Sequence, residues 1–239
     1  INTLGVSNSA FGHYSLLYNT TGANNSAFGD GALQTNTIGV NNTATGRSAL
    51  KNSTASNNNA FGAYALLNNT TGTNNNAFGL NSMRFNTIGS NNVAFGGSLY
   101  SNTTGNFNVA VGVAALNANT IGASNIAIGK NALKDNTLGL RNLAIGQQAL
   151  KNNITGQNNV AIGLWALCNN NSSYNYAIGS YALRNNAAGS YNVAFGERAL
   201  NVSAGSCNTA IGGNAGNNRS LASIKEIFIS LSGLILSRP

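Results

Sequence analysis

The sequence is poor in the side chains that most enzymes use for catalysis. Among its 239 residues there are only four acidic residues and one histidine. A Ser-His-Asp or Cys-His site needs a base that is oriented by a partner, and His13 has no evident partner in the sequence. The acids Asp30, Asp135, Glu197 and Glu226 lie far apart, whereas a glycosidase needs two carboxylates within about 10 Å of each other. We therefore predict a protein that is not an enzyme.

The patterns of metal and cofactor sites are missing as well. The sequence has neither a Cys/His cluster nor an Asp-rich calcium repeat. Its many glycine spacings lack the Gly-Lys-Ser/Thr of a phosphate-binding loop. We expect no metal and no cofactor.

One short repeat dominates the chain instead. The pentapeptide Asn-x-Ala-φ-Gly occurs thirteen times, its closing glycines are 16 or 17 residues apart, and φ is Phe, Ile or Val except at Thr45. This period is too short for a helical repeat, and Gly and Asn are poor helix formers. We predict an all-β protein, a parallel β-solenoid (β-roll) of about 13 coils of 16–17 residues. Residues 1–216 form the repeat domain, and residues 217–239 form a non-repeat cap or tail.

Each coil is predicted to contain two short strands, and each strand ends at a glycine turn because glycine reaches positive φ without steric cost. The second strand would be built around the Ala-Leu pair that follows the motif. Stacked coils would bring the motif asparagines together in a row of amide hydrogen bonds, as in cross-β assemblies. These asparagines are Asn8, Asn25, Asn42, Asn58, Asn75, Asn92, Asn108, Asn125, Asn142, Asn159, Asn175, Asn192 and Asn208.

Alternation along the first strand places the motif Ala and the φ residue on opposite faces. We expect Ala to line the interior and φ to point outward. A row of Phe and Ile in water exceeds the apolar patch that monomers usually tolerate, so we predict self-association as a trimer. In the alternative, φ fills the interior, Ala faces outward and the protein is a monomer.

The formal net charge of +8 is concentrated at one repeat position. Cations at equal repeat positions of a solenoid lie in a line, which forms a candidate stripe for acidic glycans, lipopolysaccharide or nucleic-acid phosphates. In the alternative, the stripe only keeps the protein soluble and discourages edge pairing. Nucleic acid is disfavoured because no aromatic platform is interleaved with the cations. Five residues after the motif glycine lie Lys51, Arg84, Lys134, Lys151 and Arg184.

Three expectations concern the ends of the chain and its cysteines. Ile1 falls partway through a repeat, as expected for part of a longer array or for a processed array. Residues 220–239 are expected to form a capping strand or helix, with an amphipathic membrane contact or a functionless tail as alternatives; their apolar run is too short and interrupted for a membrane span. Cys168 and Cys207 lie more than two coils apart, beyond disulfide reach, so we expect free thiols.

The motif resembles two known kinds of repeat. The segments Asn125-Ile-Ala-Ile-Gly129 and Asn192-Val-Ala-Phe-Gly196 resemble the head repeats of YadA-type trimeric autotransporter adhesins. The longer unit from Asn119 to Leu133 is similar to arrays in phage and viral tail fibres. The resemblance covers residues 1–216 and implies a left-handed roll packed as a trimer. It also implies an extracellular fibre, at a cell or virion surface, that attaches to cells, glycans or matrix.

The leading functional hypothesis is thus a non-catalytic, oligomeric adhesin or tail-fibre module that contacts a host surface or glycan. An ice-binding solenoid is an alternative, because rows of Thr, Asn and Ala can order water. Against it, the Asn-Thr pairs that end at Thr20, Thr37, Thr87, Thr120 and Thr137 are predicted to alternate with repeats that lack them. A purely architectural filament is the remaining alternative.

Overall fold

A computed structural model of the protein describes residues 4–202, 205–217, 227–231 and 234–237. The predicted all-β parallel β-solenoid is confirmed, and these described residues form about twelve turns where about 13 were predicted. No helix occurs in the described ranges. The chain divides into two compact units, Ile1–Gly122 and Ala123–Pro239. Ile1 and Glu226 lie outside the described residues.

The first unit contains seven strands of three residues each, which pair in parallel in the order of the sequence. The pairing joins equivalent motif positions, so Ala27 is in register with Ala44 and Ala77 with Ala94. The strands are β1 (Ser9–Phe11), β2 (Ser26–Phe28), β3 (Thr43–Thr45), β4 (Asn59–Phe61), β5 (Asn76–Phe78), β6 (Val93–Phe95) and β7 (Val109–Val111).

The second unit continues the pattern with six three-residue strands and two longer ones. The first seven pair in parallel in chain order, and the last turns back to pair antiparallel with its neighbour. The strands are β8 (Ile126–Ile128), β9 (Leu143–Ile145), β10 (Val160–Ile162), β11 (Tyr176–Ile178), β12 (Val193–Phe195), β13 (Thr209–Ile211), β14 (Ile227–Leu231) and β15 (Leu234–Ser237).

Alternation within these strands places the motif Ala inside the coil and the φ residue outside. Ala27, Ala60 and Ala127 are fully buried, whereas Phe28 and Ile128 are exposed. The predicted orientation is confirmed. The alternative, in which φ fills the interior, is wrong, because the motif Ala occupies the interior position and φ lies on the opposite face of the strand.

The prediction of a second strand in each coil is wrong. The Ala-Leu segment is a run of turn residues in the described coils, and its leucine adopts the left-handed conformation, as at Leu33 (φ 50°) and Leu50 (φ 50°). This conformation costs a leucine about 1–2 kcal/mol and cannot continue a pleated strand. Burial of the side chain and a bond from the N–H of Leu33 to the carbonyl of Ala49 (3.0 Å) offset the cost.

The interior of each coil combines small apolar residues, one leucine and buried amides. In addition to the motif asparagines, a second asparagine row runs through each unit, in most coils three residues before a further glycine such as Gly89, and its members are fully buried. The side-chain nitrogen of Asn86 donates to Oδ1 of Asn69 (2.7 Å) and to the carbonyl of Gly89 (2.8 Å). The second asparagine row consists of Asn19, Asn36, Asn69, Asn86, Asn102 and Asn119 in the first unit, with Ser53 in one coil, and of Asn136, Asn153, Asn170 and Asn186 in the second.

The motif glycines allow successive coils to approach closely. At Gly62 φ is +133°, and an added Cβ would lie 2.6 Å from the carbonyl carbon and oxygen of Gly79. No other residue type fits this combination of backbone conformation and contact.

The end of the second unit departs from the repeat. Strand β14 adds a further parallel strand beside β13, and Phe228 takes the register position opposite Ala210. Phe228 is only 1% exposed, so a large ring fills the interior where other coils have a small methyl group. The cap was predicted to be a strand or a helix, and its described residues form strands. Within the described part of the chain, no helix is long and apolar enough to cross a membrane.

Candidate ligand-binding surface

The motif asparagines from Asn25 to Asn208 lie inside the coils and are not available to a ligand, whereas Asn8 is half-buried. Asn75, Asn92 and Asn108 are fully buried. The side-chain nitrogen of Asn75 donates to the carbonyl of Gly89 (2.8 Å), which ties the beginning of a coil to its end. Any recognition of a partner must therefore use the residues outside this amide network.

The five predicted cations occupy one row in each unit, and all five are half-buried. In the first unit Leu67 lies between Lys51 and Arg84. The backbone N–H groups that follow Lys51 and Leu67 donate to the carbonyls of Leu67 and Arg84, respectively, in the next coil. In the second unit Lys134 and Lys151 are in neighbouring coils, and Cys168 separates Lys151 from Arg184. The row is thus interrupted by uncharged residues within each unit.

Aromatic rings accompany the arginines of this row, so the prediction that no aromatic residues are interleaved with the cations is wrong. The guanidinium of Arg84 lies 5.0 Å from the ring centroid of Tyr64, and that of Arg184 lies 4.7 Å from the ring of Trp165. In both units the ring belongs to the residue two positions after a motif glycine, and the arginine follows in the next coil. This relation is readable from the repeat alignment, but only once neighbouring coils are compared.

Each unit has further contacts between an arginine and an aromatic ring. Arg47 lies 5.6 Å from the ring of Tyr64 in the first unit. In the second unit Tyr181 is 5.4 Å from Arg184 and 5.7 Å from Arg198. Neither Arg47 nor Arg198 belongs to the predicted cation row, and sequence reasoning missed both.

Most of these cations are not neutralised. In the described ranges the ion pairs are His13 with Asp30 (3.5 Å) and Arg198 with Glu197 (3.9 Å). No carboxylate lies within ion-pair distance of Arg84 or Arg184 among the described residues. The Nε atoms of both arginines are buried without a hydrogen-bond partner, although Nη1 of Arg84 donates to Oδ1 of Asn81 (3.3 Å).

Cys168 lies in the same row, and its pKa depends on its burial and on the neighbouring cations. Burial raises the pKa of its thiol above the usual value of 9.0, while the nearby charges of Lys151 and Arg184 oppose the shift. Both cysteines are free, with Cys168 buried and Cys207 exposed.

The φ residues form a row of exposed and half-buried side chains on the outside of each unit, which we call the outer apolar row. In the first unit the rings of Phe61, Phe78 and Phe95 stack in sequence, with centroids 4.9 and 4.6 Å apart. In the second unit this row is doubled, because the residue two positions earlier is also apolar in most coils. Its exposed members there include Ile126, Ile128, Tyr176, Ile178, Val193, Phe195 and Ile211.

Threonines form a row in the first unit, which we call the threonine row. The hydroxyl of Thr70 donates to the carbonyl of Thr87 (2.9 Å), and that of Thr87 to the carbonyl of Thr103 (3.0 Å). The prediction that threonine-bearing coils alternate with others is therefore wrong for this unit. The row consists of Thr20, Thr37, Thr54, Thr70, Thr87, Thr103 and Thr120.

The structure gives His13 a neighbour that the sequence did not reveal. Its Nδ1 atom lies 3.5 Å from Oδ1 of Asp30 in the next coil, and both side chains are more than half exposed. The prediction that His13 lacks a partner is thus wrong. The hydroxyl of Ser15 donates to the carbonyl of Gly12 (2.9 Å). No group of three or more metal-ligating side chains occurs among the residues that the structure describes.

Comparison with known proteins gave no relatives. No family model matches the chain, and neither a curated protein nor a solved structure is similar enough to count as a match.

Proposed function

We propose that this protein is a non-catalytic module of a surface fibre, an adhesin or tail-fibre segment that assembles as a trimer and attaches to cells, glycans or matrix. The observation that carries the proposal is the doubled outer apolar row of the second unit. Ile128 (38% exposed), Tyr176 (45%) and Phe195 (56%) lie on one face of a sheet whose opposite face is filled by buried alanine. Contiguous apolar surface of this kind marks an interaction site in soluble proteins.

A second copy of the same chain is the partner that fits this face best. The row repeats with the coil spacing, so an identical row on another chain would meet it residue for residue. A closed ring of three would bury all three rows against each other without leaving an open edge. The resemblance to trimeric adhesin heads supports the same number of chains and, with it, a position outside the cell or on a virion.

Analytical ultracentrifugation tests the assembly. The wild-type chain of 24.4 kDa should sediment at three times its mass. Replacing Ile128 and Ile178 by lysine should give a folded monomer, because charges would then have to be buried at the contact. The matched control replaces Leu138 and Ile154 by lysine; these residues are equally apolar and exposed in the same unit but lie outside the outer apolar row.

The control variant should remain a trimer. A wild-type monomer would overturn the proposed assembly, and equal dissociation of both variants would remove the role of the outer apolar row. Electron micrographs of the same samples distinguish discrete particles from filaments joined end to end, which a purely architectural role requires.

The unbroken threonine row favours one second candidate, an ice-binding role. Seven threonines at one repeat position present methyl and hydroxyl groups at the spacing of successive strands, about 4.8 Å. Thermal hysteresis by the wild type, lost on replacing Thr70 by lysine, would support this candidate. An absence of hysteresis would remove it.

A further inference from the structure

We infer that the stacked arginines form two equivalent sites for an acidic polysaccharide, one on each unit, at which each guanidinium binds a carboxylate or sulfate group of the sugar chain. The inference rests on the proposed attachment role and identifies the residues and ligand class that serve it. One site contains Arg84 with Tyr64 and Arg47. The other contains Arg184 with Trp165.

The first argument is that the two sites repeat the same arrangement. Tyr64 and Trp165 both lie two residues after a motif glycine, and Arg84 and Arg184 both lie five residues after the next one. The distances from guanidinium to ring centroid, 5.0 and 4.7 Å, agree closely. The lysines of the same row, Lys51 and Lys134, have no such ring.

Stacking prepares the arginines for binding. A guanidinium held against a ring face has already lost much of its side-chain freedom, and its N–H groups at the edge still match an oxyanion with two parallel bonds. Half-burial excludes part of the water that would weaken such bonds. A lysine at the same position offers a mobile point charge instead.

Neither Arg84 nor Arg184 has its charge matched by a carboxylate within the described part of the protein. Nε of Arg84 and Nε of Arg184 are buried and have no hydrogen-bond partner. Buried polar groups normally have one, and leaving a charged donor unpaired is costly. No carboxylate of the described residues pairs with either arginine. Both side chains are half-buried, so an external oxyanion would meet the N–H groups on the exposed side of each guanidinium, not the buried Nε.

Acidic sugar fits these sites better than nucleic acid. Single-stranded nucleic acid is held by bases that stack on free aromatic faces. The rings of both sites carry guanidinium groups: that of Tyr64 contacts Arg47 and Arg84, and that of Trp165 contacts Arg184. Guanidinium groups thus occupy the rings that bases would need, and oxyanion contacts remain.

Surface plasmon resonance on the full chain tests the inference, with a sulfated glycosaminoglycan, polygalacturonate, neutral dextran and single-stranded DNA immobilised separately. The wild type should bind the two acidic polysaccharides and not dextran. The double variant R84Q/R184Q should lose at least about tenfold in affinity, since hydrogen bonds to charged groups contribute about 1.5–3 kcal/mol each.

The matched control is K51Q/K134Q, which removes the same charge from the same row at positions without a ring. We expect it to lose less than about threefold. The variant Y64L/W165L keeps all charges and should weaken binding by removing the support of the arginines. Circular dichroism and the sedimentation mass of each variant establish that it is folded and assembled.

Equal losses in the arginine and lysine variants would overturn the inference in favour of diffuse electrostatic attraction. Tighter binding to DNA than to either polysaccharide would overturn it in favour of nucleic acid, and an absence of binding would overturn it outright. A trimer that binds no polysaccharide refutes only this inference, whereas a monomer that binds through Arg84 and Arg184 refutes only the proposed assembly.

Discussion

Asn92 donates both its backbone N–H and its side-chain amide to one atom, Oδ1 of Asn75 in the preceding coil, at 3.0 and 3.2 Å. The same side chain donates to the carbonyl of Gly105 (2.8 Å), and its own Oδ1 accepts the N–H of Asn108 (2.9 Å). One amide therefore joins three successive coils. The side chain of residue 92 must both donate and accept hydrogen bonds, and an amide can do both.

Replacing Asn92 by aspartate should destabilise the protein by about 3 kcal/mol or more. The new carboxylate would be a buried charge without a cation, and it would place acceptors against Oδ1 of Asn75 and the carbonyl of Gly105. The control is Asn91→Asp, one residue earlier, where the side chain is exposed and aspartate tolerates the positive φ of 59°. Urea denaturation should separate the two variants, and equal midpoints would contradict the role of the amide.

Replacing Gly62 by alanine should destabilise the first unit by about 3 kcal/mol or more, because the new Cβ would collide with the carbonyl of Gly79 in a backbone conformation that costs other residues dearly. Gly213→Ala is the matched control, since nothing lies within 4 Å of its Cβ. The control should stay within about 0.5 kcal/mol of the wild type. Guanidinium denaturation followed by circular dichroism measures both.

At the leucines with positive φ, the stability gained by burying the side chain can be measured separately from the cost of the left-handed backbone conformation. Leu133→Ala should cost about 2–5 kcal/mol, because it removes a fully buried side chain and leaves a cavity. Leu133→Gly removes still more but relieves a φ of 49°, so it should be at least as stable as the alanine variant. In an ordinary strand or helix the order would be the reverse. Leu138→Ala, at an exposed site, controls for the loss of a leucine.

The two thiols should differ in reactivity and in their effect on pH stability. In native protein Cys207 should react with a thiol reagent at once, whereas Cys168 should react only as the chain unfolds; the variant Cys207→Ser isolates the slow thiol. Burial raises the pKa of Cys168 in the folded state above 9.0, so its neutral form contributes stability that is fully present below that pH. The contribution is lost as pH rises above 9.0 through the raised pKa. Cys168→Ala should remove this part of the alkaline loss, and an unchanged profile would contradict the assignment.

Much of the scaffold could be predicted from the sequence because it depends on position within the repeat. The spacing of the motif glycines predicted the parallel register of strands such as β4 and β5. The alternation of Ala60 and Phe61 predicted that the two side chains lie on opposite faces of the strand. Both inferences use only the two-residue period of a strand and the identity of neighbouring coils.

The remaining features depend on conformation within a coil or on contacts between different repeat positions. The second strand was predicted around the Ala-Leu pair that recurs after each motif. No sequence pattern indicates that Leu50 adopts positive φ. The pairing of Tyr64 with Arg84 joins unequal positions of neighbouring coils, so comparison of equal positions could not find it. The contact of His13 with Asp30 could have been predicted, because each residue directly follows a motif glycine and equal positions of neighbouring coils lie side by side.

The bonds between motif asparagines join each residue to its counterpart one repeat away, as Asn92 is joined to Asn75 and Asn108. These bonds are the same in each coil, so they do not depend on where the coil lies in the series. Joining Phe61 directly to Gly79 would delete 17 residues and leave each partner facing an equivalent one. Slippage or unequal recombination in the gene could therefore lengthen or shorten the array by whole repeats, and selection could adjust its reach in small steps without inventing a new junction.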